Sequence, residues 1–152
     1  MPTVLDAVTV QNKLGHRISN VSVLYAASNK LQAEHILDVV PYLNDLRTVD
    51  IQTRENIRYT KTTGCDRINS HSQETLDGFG GSTKYRGYWQ VYFRFGNRNY
   101  KIDKENAQMN IWRDDHHGTM VITILAESDG RIRIDMILPS GNAHFYVEEY
   151  TT

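Results

Sequence analysis

The chain has 152 residues, a formal net charge of −1, 23% charged residues and a mean hydropathy of −0.53. Near-neutrality excludes a broad basic field, so no nucleic-acid partner is expected. No apolar run approaches the roughly 20 residues that cross a bilayer, and the single cysteine, Cys65, excludes an intrachain disulfide. One domain over residues 1–152 is expected, long enough to bury a core. The opening MPTVLDAVTV lacks a basic stretch followed by a long apolar one. With one cysteine, that predicts a cytoplasmic protein, acting there or after release, and no use of the Asn20-Val21-Ser22 sequon.

Thr3–Gln11 alternates, with Val4, Val8 and Val10 as core positions. Asn12-Lys13-Leu14-Gly15 turns the chain into a strand over Ile18–Tyr25, where Val21, Val23 and Tyr25 share a face. Asn29–Leu46 reads two ways. Leu31, His35 and Val39 have the spacing of two helical turns that Pro41 ends, and a short strand or an irregular crossover fits the same residues. Thr48–Thr53 and Ile57–Thr60 alternate again, with Val49/Ile51 and Ile57/Tyr59 on single faces. Thr62–Lys84 is polar and rich in Gly, Ser and Thr, with Phe79 as its only aromatic residue. It predicts a long polar loop, either a surface insertion or a recognition loop carrying Phe79.

Tyr85–Asp103 is the clearest element. Trp89, Val91, Phe93 and Phe95 alternate with Tyr88, Gln90, Tyr92 and Arg94, and Gly96-Asn97 supplies a two-residue turn of type II′. That turn pairs Phe93 with Tyr100 and Val91 with Ile102, which keeps the apolar residues on one face. A meander follows. A tip at Asp114–His117 pairs Ile111 with Met120 and Met109 with Ile122. Ser128-Asp129-Gly130 makes a three-residue hairpin that pairs Ile124 with Ile134, Ile122 with Met136 and Met120 with Leu138. Pro139–Asn142 leads into a last strand over Ala143–Tyr150. The pattern predicts an all-β, antiparallel, meander-rich β-sandwich. Counting reversals puts Gly96-Asn97, Asp114–His117 and Pro139–Asn142 on one rim. Thr62–Lys84, Lys104–Asn106 and Ser128–Gly130 fall on the other.

Asp114, Asp115, His116 and His117 combine two carboxylates with two imidazoles, the residue types of a divalent-metal site or a proton shuttle. Asp and Gly are equally ordinary turn residues, and a solvated tip is the plainer expectation. His144, just beyond the Pro139–Asn142 turn, is the third histidine that the shared rim would bring near. No resident cofactor or metal is expected. Cys65 has no neighbouring histidine or basic cluster to activate it. Gly78-Phe79-Gly80-Gly81 lacks the Lys-Ser/Thr of a phosphate loop. Tyr88, Tyr92, Arg94 and Lys101 lie opposite the apolar face, where aromatics among cations stack on ligands if solvated and pack across strands if covered. Trp112 faces away from Ile111 beside the Asp114–His117 tip and is the better anchor.

The order of motifs carries a resemblance. Val8-Thr9-Val10-Gln11-Asn12-Lys13-Leu14-Gly15 is followed by Val21-Ser22-Val23, Thr62-Thr63-Gly64, Tyr88-Trp89-Gln90-Val91, Met120–Leu125 and Pro139-Ser140. This resembles the small β-sandwich domains called UrD and, more distantly, the aegerolysins, both of which begin with a strand of the form V-x-V-x-N-x-x-G. The long polar stretch before Tyr88 departs from that pattern. So does the lack of cysteines before the meander and after Pro139-Ser140. The resemblance implies a non-enzymatic protein, toxin-like in recognising membrane lipids and in acting with a partner in pore formation. It assigns no residue.

The expectation is therefore a non-enzymatic binding module for a membrane lipid or glycan at a sandwich rim. Its ligand-binding candidates are Trp112, Phe79, Tyr88, Tyr92 and Arg94. One alternative is a protein-interaction domain or homo-oligomer that buries the Tyr88/Tyr92/Arg94 face or a strand edge. Another is a metal-dependent enzyme built on Asp114–His117 and His144.

Overall fold

The computed structural model describes residues 3–28, 57–81, 86–103 and 107–151. The expectations for Asn29–Leu46, Thr48–Thr53 and Lys104–Asn106 lie outside the described residues.

The described chain is all β. In chain order its strands are β1 (Thr3–Val4), β2 (Ala7–Asn12), β3 (Ile18–Ser28), β4 (Ile57–Ile68), β5 (Gln73–Asp77), β6 (Gly80–Gly81), β7 (Arg86–Phe95), β8 (Arg98–Ile102), β9 (Thr119–Ala126), β10 (Ile132–Leu138) and β11 (Gly141–Tyr150). Nine strands form one mixed sheet in the order β4-β3-β7-β8-β11-β10-β9-β2-β5, and β1 pairs separately with β6. Its end strands, β4 and β5, contact each other, so the sheet nearly closes on itself. The curl brings Val8 and Val10 of β2, Val21, Val23 and Tyr25 of β3, Trp89, Val91 and Phe93 of β7, and Met120, Ile122 and Ile124 of β9 into one core. Each such side chain removed from water contributes about 1.5–3 kcal/mol. Val4 is the exception to the predicted core: it is 38% exposed. Among the described residues no helix is long and apolar enough to cross a membrane.

Two of the predicted hairpins form in their predicted registers. Phe93 pairs with Tyr100 across β7 and β8, and Ile124 with Ile134 and Ile122 with Met136 across β9 and β10. Gly130 takes φ +91, as the three-residue turn requires. The Gly96-Asn97 turn differs in kind. Both residues have positive φ, +58 and +65, which makes it type I′ rather than II′, with Asn97 tolerating the left-handed region.

Three expectations about the partners and extent of the strands are overturned. First, the sheet is not wholly antiparallel, because β2 pairs β9 in parallel, Val8 with Met120 and Val10 with Ile122. Second, residues 107–112 do not pair with β9, so the expected Ile111–Met120 and Met109–Ile122 contacts across a hairpin are absent. That segment runs along the start of β7 instead. Trp89 N–H donates to the Ala107 carbonyl at 2.8 Å, Met109 N–H to the Gly87 carbonyl at 3.0 Å, and Tyr88 bridges Gln108. Gly87 permits this approach, since a Cβ there would sit 2.7 Å from the Met109 oxygen. β8 and this segment both run antiparallel to β7, one after the other, and the break between them is filled by the Gln90 side chain, 2% exposed. Its Oε1 accepts Ile102 N–H at 2.7 Å and Val91 N–H at 2.9 Å, and its Nε2 donates to the Ile102 carbonyl at 3.2 Å.

Third, Thr62–Lys84 is not a long loop as far as it is described. β4 runs to Ile68, a short turn follows at Asn69–Ser72, and β5 and β6 complete the stretch. Its polar composition reflects position. β4 and β5 end the sheet, and their outward side chains are solvated, including Asp66, Arg67, Gln73, Glu74 and Asp77. Ile68, Leu76 and Phe79 turn inward.

The route of residues 107–112 also changes the ends of the molecule. Asp114–His117 and Pro139-Ser140 do share one end, with Leu5-Asp6 and Gly78-Phe79 beside them. Gly96-Asn97 lies at the other end, next to Ser128–Gly130, because β11 runs from its Leu138↔Gly141 pair to its Tyr150↔Asn99 pair.

Candidate functional site

The end that carries Asp114–His117 is a built structure rather than a splayed tip. Arg113–Asp115 forms one turn of 3-10 helix. Asp115 is fully buried, against the expectation of a solvated turn residue. Its Oδ2 accepts Trp112 N–H at 2.7 Å and the Ser140 hydroxyl at 2.7 Å, and its Oδ1 accepts Ser140 N–H at 2.8 Å. One carboxylate thus ties the start of the 3-10 turn to the β10–β11 connection. Ionised Asp is acceptor-only, and three donors occupy both its oxygens here.

Next to this anchor, Trp112 is 49% exposed, whereas Ile111 is buried. Among the described residues the exposed large hydrophobic side chains are Val4, Trp112 and Ile137. Val4 touches the turn directly: its N–H donates to His116 Nδ1 at 3.1 Å, and its carbonyl accepts His117 N–H at 2.7 Å. Ile137 lies two residues before Pro139, whose ring packs on Gly118. His117 has φ +61, and its Nδ1 lies 3.0 Å from Asp6 Oδ1. The two imidazole centroids are 4.0 Å apart. Asp114 is exposed.

The remaining predicted site residues are placed elsewhere. Phe79 is 1% exposed, set 5.7 Å from Tyr25 and edge-on 5.4 Å from Trp89, so it is core and not a loop anchor. β5 and β6 on either side of it turn its ring under the sheet. Tyr88 and Tyr92 are 0% and 4% exposed, and Tyr92 meets Tyr150 edge-on at 5.9 Å. They offer no solvated stacking face within this chain, and Arg94 beside them is half-buried. His144 does not join His116 and His117. It sits opposite Asp135 on β11, with its ring 6.3 Å from Tyr146. Among the described residues no group of three or more His, Cys, Asp or Glu side chains could hold a metal ion. The imidazoles are directed to Val4 and Asp6, and the Ser140 hydroxyl donates to the Asp115 carboxylate rather than to a histidine.

Three polar residues were not singled out as organising groups in the sequence. Gln90 fills the ladder break. Asn12 is fully buried at the opposite end, where Nδ2 donates to the His16 and Ile68 carbonyls at 2.9 and 3.1 Å and Oδ1 accepts Leu14 N–H at 2.9 Å. Its place after Val8 and Val10 in the V-x-V-x-N-x-x-G run was visible, but a turn asparagine on its own reads as solvated. Ser140 carries no signal, because its partner lies 25 residues away. Also near the opposite end, Arg133 bridges Asp135 at 2.8 Å and Glu127 at 2.9 Å, Tyr146 donates to Glu127 at 2.9 Å, and Arg131 lies 4.1 Å over the Tyr146 ring. The hydrogen bond to Glu127 pushes the Tyr146 hydroxyl pKa up. Burial, with Glu74 nearby, pushes the Cys65 thiol up, the opposite of an activated nucleophile.

No family model matches the sequence, and no curated protein matches it.

Proposed function

We propose that the protein is a non-enzymatic binding module, a sandwich-type β scaffold that recognises a membrane lipid or a glycan at the end carrying Trp112. The observation that supports this reading most is a half-exposed tryptophan on a turn pinned by a buried carboxylate. An indole held out by a rigid base suits a lipid headgroup layer or a sugar face, since its body is apolar and its N–H polar. Little loop order remains to be lost on binding. Val4 next to the same turn and Ile137 near the β10–β11 connection extend the apolar character of this end. The resemblance to UrD domains and aegerolysins points the same way, toward a protein made in the cytoplasm that acts on membranes after release. The Tyr88/Tyr92 face supports assembly less well, because it is already buried within one chain.

Co-sedimentation with vesicles of phosphatidylcholine alone, with an anionic lipid, or with sphingomyelin and sterol tests the proposal, alongside a glycan array. Binding to one class above the others is expected. Absence of binding to every vesicle and every glycan would sink it.

A further inference from the structure

We infer that Arg67 and Arg94 form a binding site for a phosphate group on the outer face of the sheet, toward the end opposite Trp112. The strand registers bring the two residues together. Ser19 of β3 pairs with Arg67 of β4 on one side and with Arg94 of β7 on the other. Residues directly opposite each other on neighbouring strands share a face, so the arginines flank Ser19 on one surface. That surface is the outer one, because Ile68 beside Arg67 and Phe93 beside Arg94 are both buried in the core. Neighbouring strands lie about 4.8 Å apart, which sets the two arginine Cα atoms roughly 10 Å apart. Two extended guanidinium side chains close that span around one small group.

The space between them is kept low. In the next row Ser22 lies between Gly64 and Tyr92. A bulge in β3, where Asn20 has φ +51, keeps Ser19 and Ser22 on the same face. A Cβ at Gly64 would meet the Val21 carbonyl oxygen, so no larger residue fits there. Serine and glycine thus form the floor beside the two guanidinium groups.

The charges here are unanswered. Among the described residues Arg98, Arg131 and Arg133 each have a carboxylate partner, whereas Arg67, Arg94 and the nearby Arg17 have none. Arg94 is half-buried, where a charge without a counter-charge costs more than on an open surface. Asp66, exposed and next to Arg67, pairs with neither arginine, and Glu148 is engaged by Lys101 at 3.9 Å. The Ser19 hydroxyl between the arginines is equally uncommitted among the described residues.

The geometry selects the ligand class. An arginine fork donates two parallel N–H bonds to an oxyanion. Two forks approaching from opposite sides need an acceptor with oxygens on more than one side. A tetrahedral phosphate group has them, and a planar carboxylate does not. The group is carried either by a small soluble molecule or by a lipid headgroup. The site stands apart from the Trp112 end and does not depend on the function proposed above.

The test is an NMR titration of the full chain with inorganic phosphate, against chloride at equal ionic strength. Saturable shifts are expected at the Ser19, Arg67 and Arg94 amides and at the two arginine Nε–H signals. Arg67→Gln and Arg94→Gln should each weaken binding about tenfold or more. Arg94→Lys, which keeps the charge and loses the fork, should fall between the native chain and Arg94→Gln. Arg131→Gln, at an arginine already paired, and Trp112→Ala should leave phosphate binding unchanged. Both glutamine variants should keep the native urea midpoint in phosphate-free buffer, because neither arginine bonds within the free chain. Co-sedimentation with phosphatidic acid vesicles then assigns the carrier. Vesicle binding that Arg94→Gln abolishes places the phosphate on a lipid; phosphate binding without it places the group on a soluble molecule. Absence of saturable shifts, equal shifts with chloride, or native affinity in both glutamine variants would overturn the inference.

Discussion

Asp115 is the residue on which the candidate site depends, and its removal has a calculable cost. Asp115→Ala takes the acceptor away from Trp112 N–H, Ser140 N–H and the Ser140 hydroxyl. Hydrogen bonds to a charged group contribute about 1.5–3 kcal/mol each, but the three share one side chain, and the hydroxyl can rotate to water. A net loss of about 2–4 kcal/mol follows. For a chain of this length that corresponds to a fall in Tm of roughly 5–15 °C. Asp115→Asn is the sharper probe. The Ser140 hydroxyl can reverse to accept from the new amide N–H₂, but one backbone N–H then faces a donor whichever way the amide is flipped. That variant should lose about 1–3 kcal/mol despite its near-identical shape. Urea unfolding with an unchanged m-value is the assay, and a double-mutant cycle with Ser140→Ala should show coupling of about 1 kcal/mol. If Asp115→Ala lies within about 0.5 kcal/mol of the native protein, the carboxylate does not hold this end together as described.

Gln90→Leu keeps the volume of the buried side chain but leaves the Ile102 N–H and carbonyl without partners, and should cost about 2–4 kcal/mol by urea unfolding. Cys65, its pKa pushed up chiefly by burial, should react with iodoacetamide more slowly in the folded protein than in denaturant at the same pH; equal rates would contradict the placement. Burial also raises the Tyr150 hydroxyl pKa. The associated stability is complete below the ordinary tyrosine range near pH 10 and is lost as the pH rises through the folded value. An ultraviolet titration should therefore show late phenolate steps, of which Tyr150→Phe removes one and leaves that of Tyr146.

What could be read from the sequence was local. The β7–β8 and β9–β10 hairpins follow from period-2 alternation flanking turn residues, so their registers needed nothing distant. The parallel β2–β9 pair joins strands more than a hundred residues apart and has no turn to announce it. Residues 107–112 alternate like a strand, yet their partner is the start of β7, reached because Gly87 and Gln90 make room for the backbone and complete the ladder. Polar composition in Thr62–Lys84 was misleading for a physical reason: end strands are solvated on their outer face, and their few inward residues, Ile68, Leu76 and Phe79, are easily lost among polar neighbours. Within the candidate site, alternation was enough to expose Trp112. It could not show that Asp115 turns inward, because Ser140 and the β10–β11 connection supply its donors from across the fold.

The measurement that bears most directly on the proposed function is vesicle or glycan binding by Trp112→Ala, using whichever ligand the native protein prefers. Arg98→Ala, an exposed change at the opposite end, serves as the control. Burying an indole contributes about 1.5–3 kcal/mol, so Trp112→Ala should weaken binding roughly 10–100-fold while Arg98→Ala leaves it unchanged. Native affinity in Trp112→Ala, with the fold intact by urea unfolding, would contradict the placement of the binding surface at this end of the sheet.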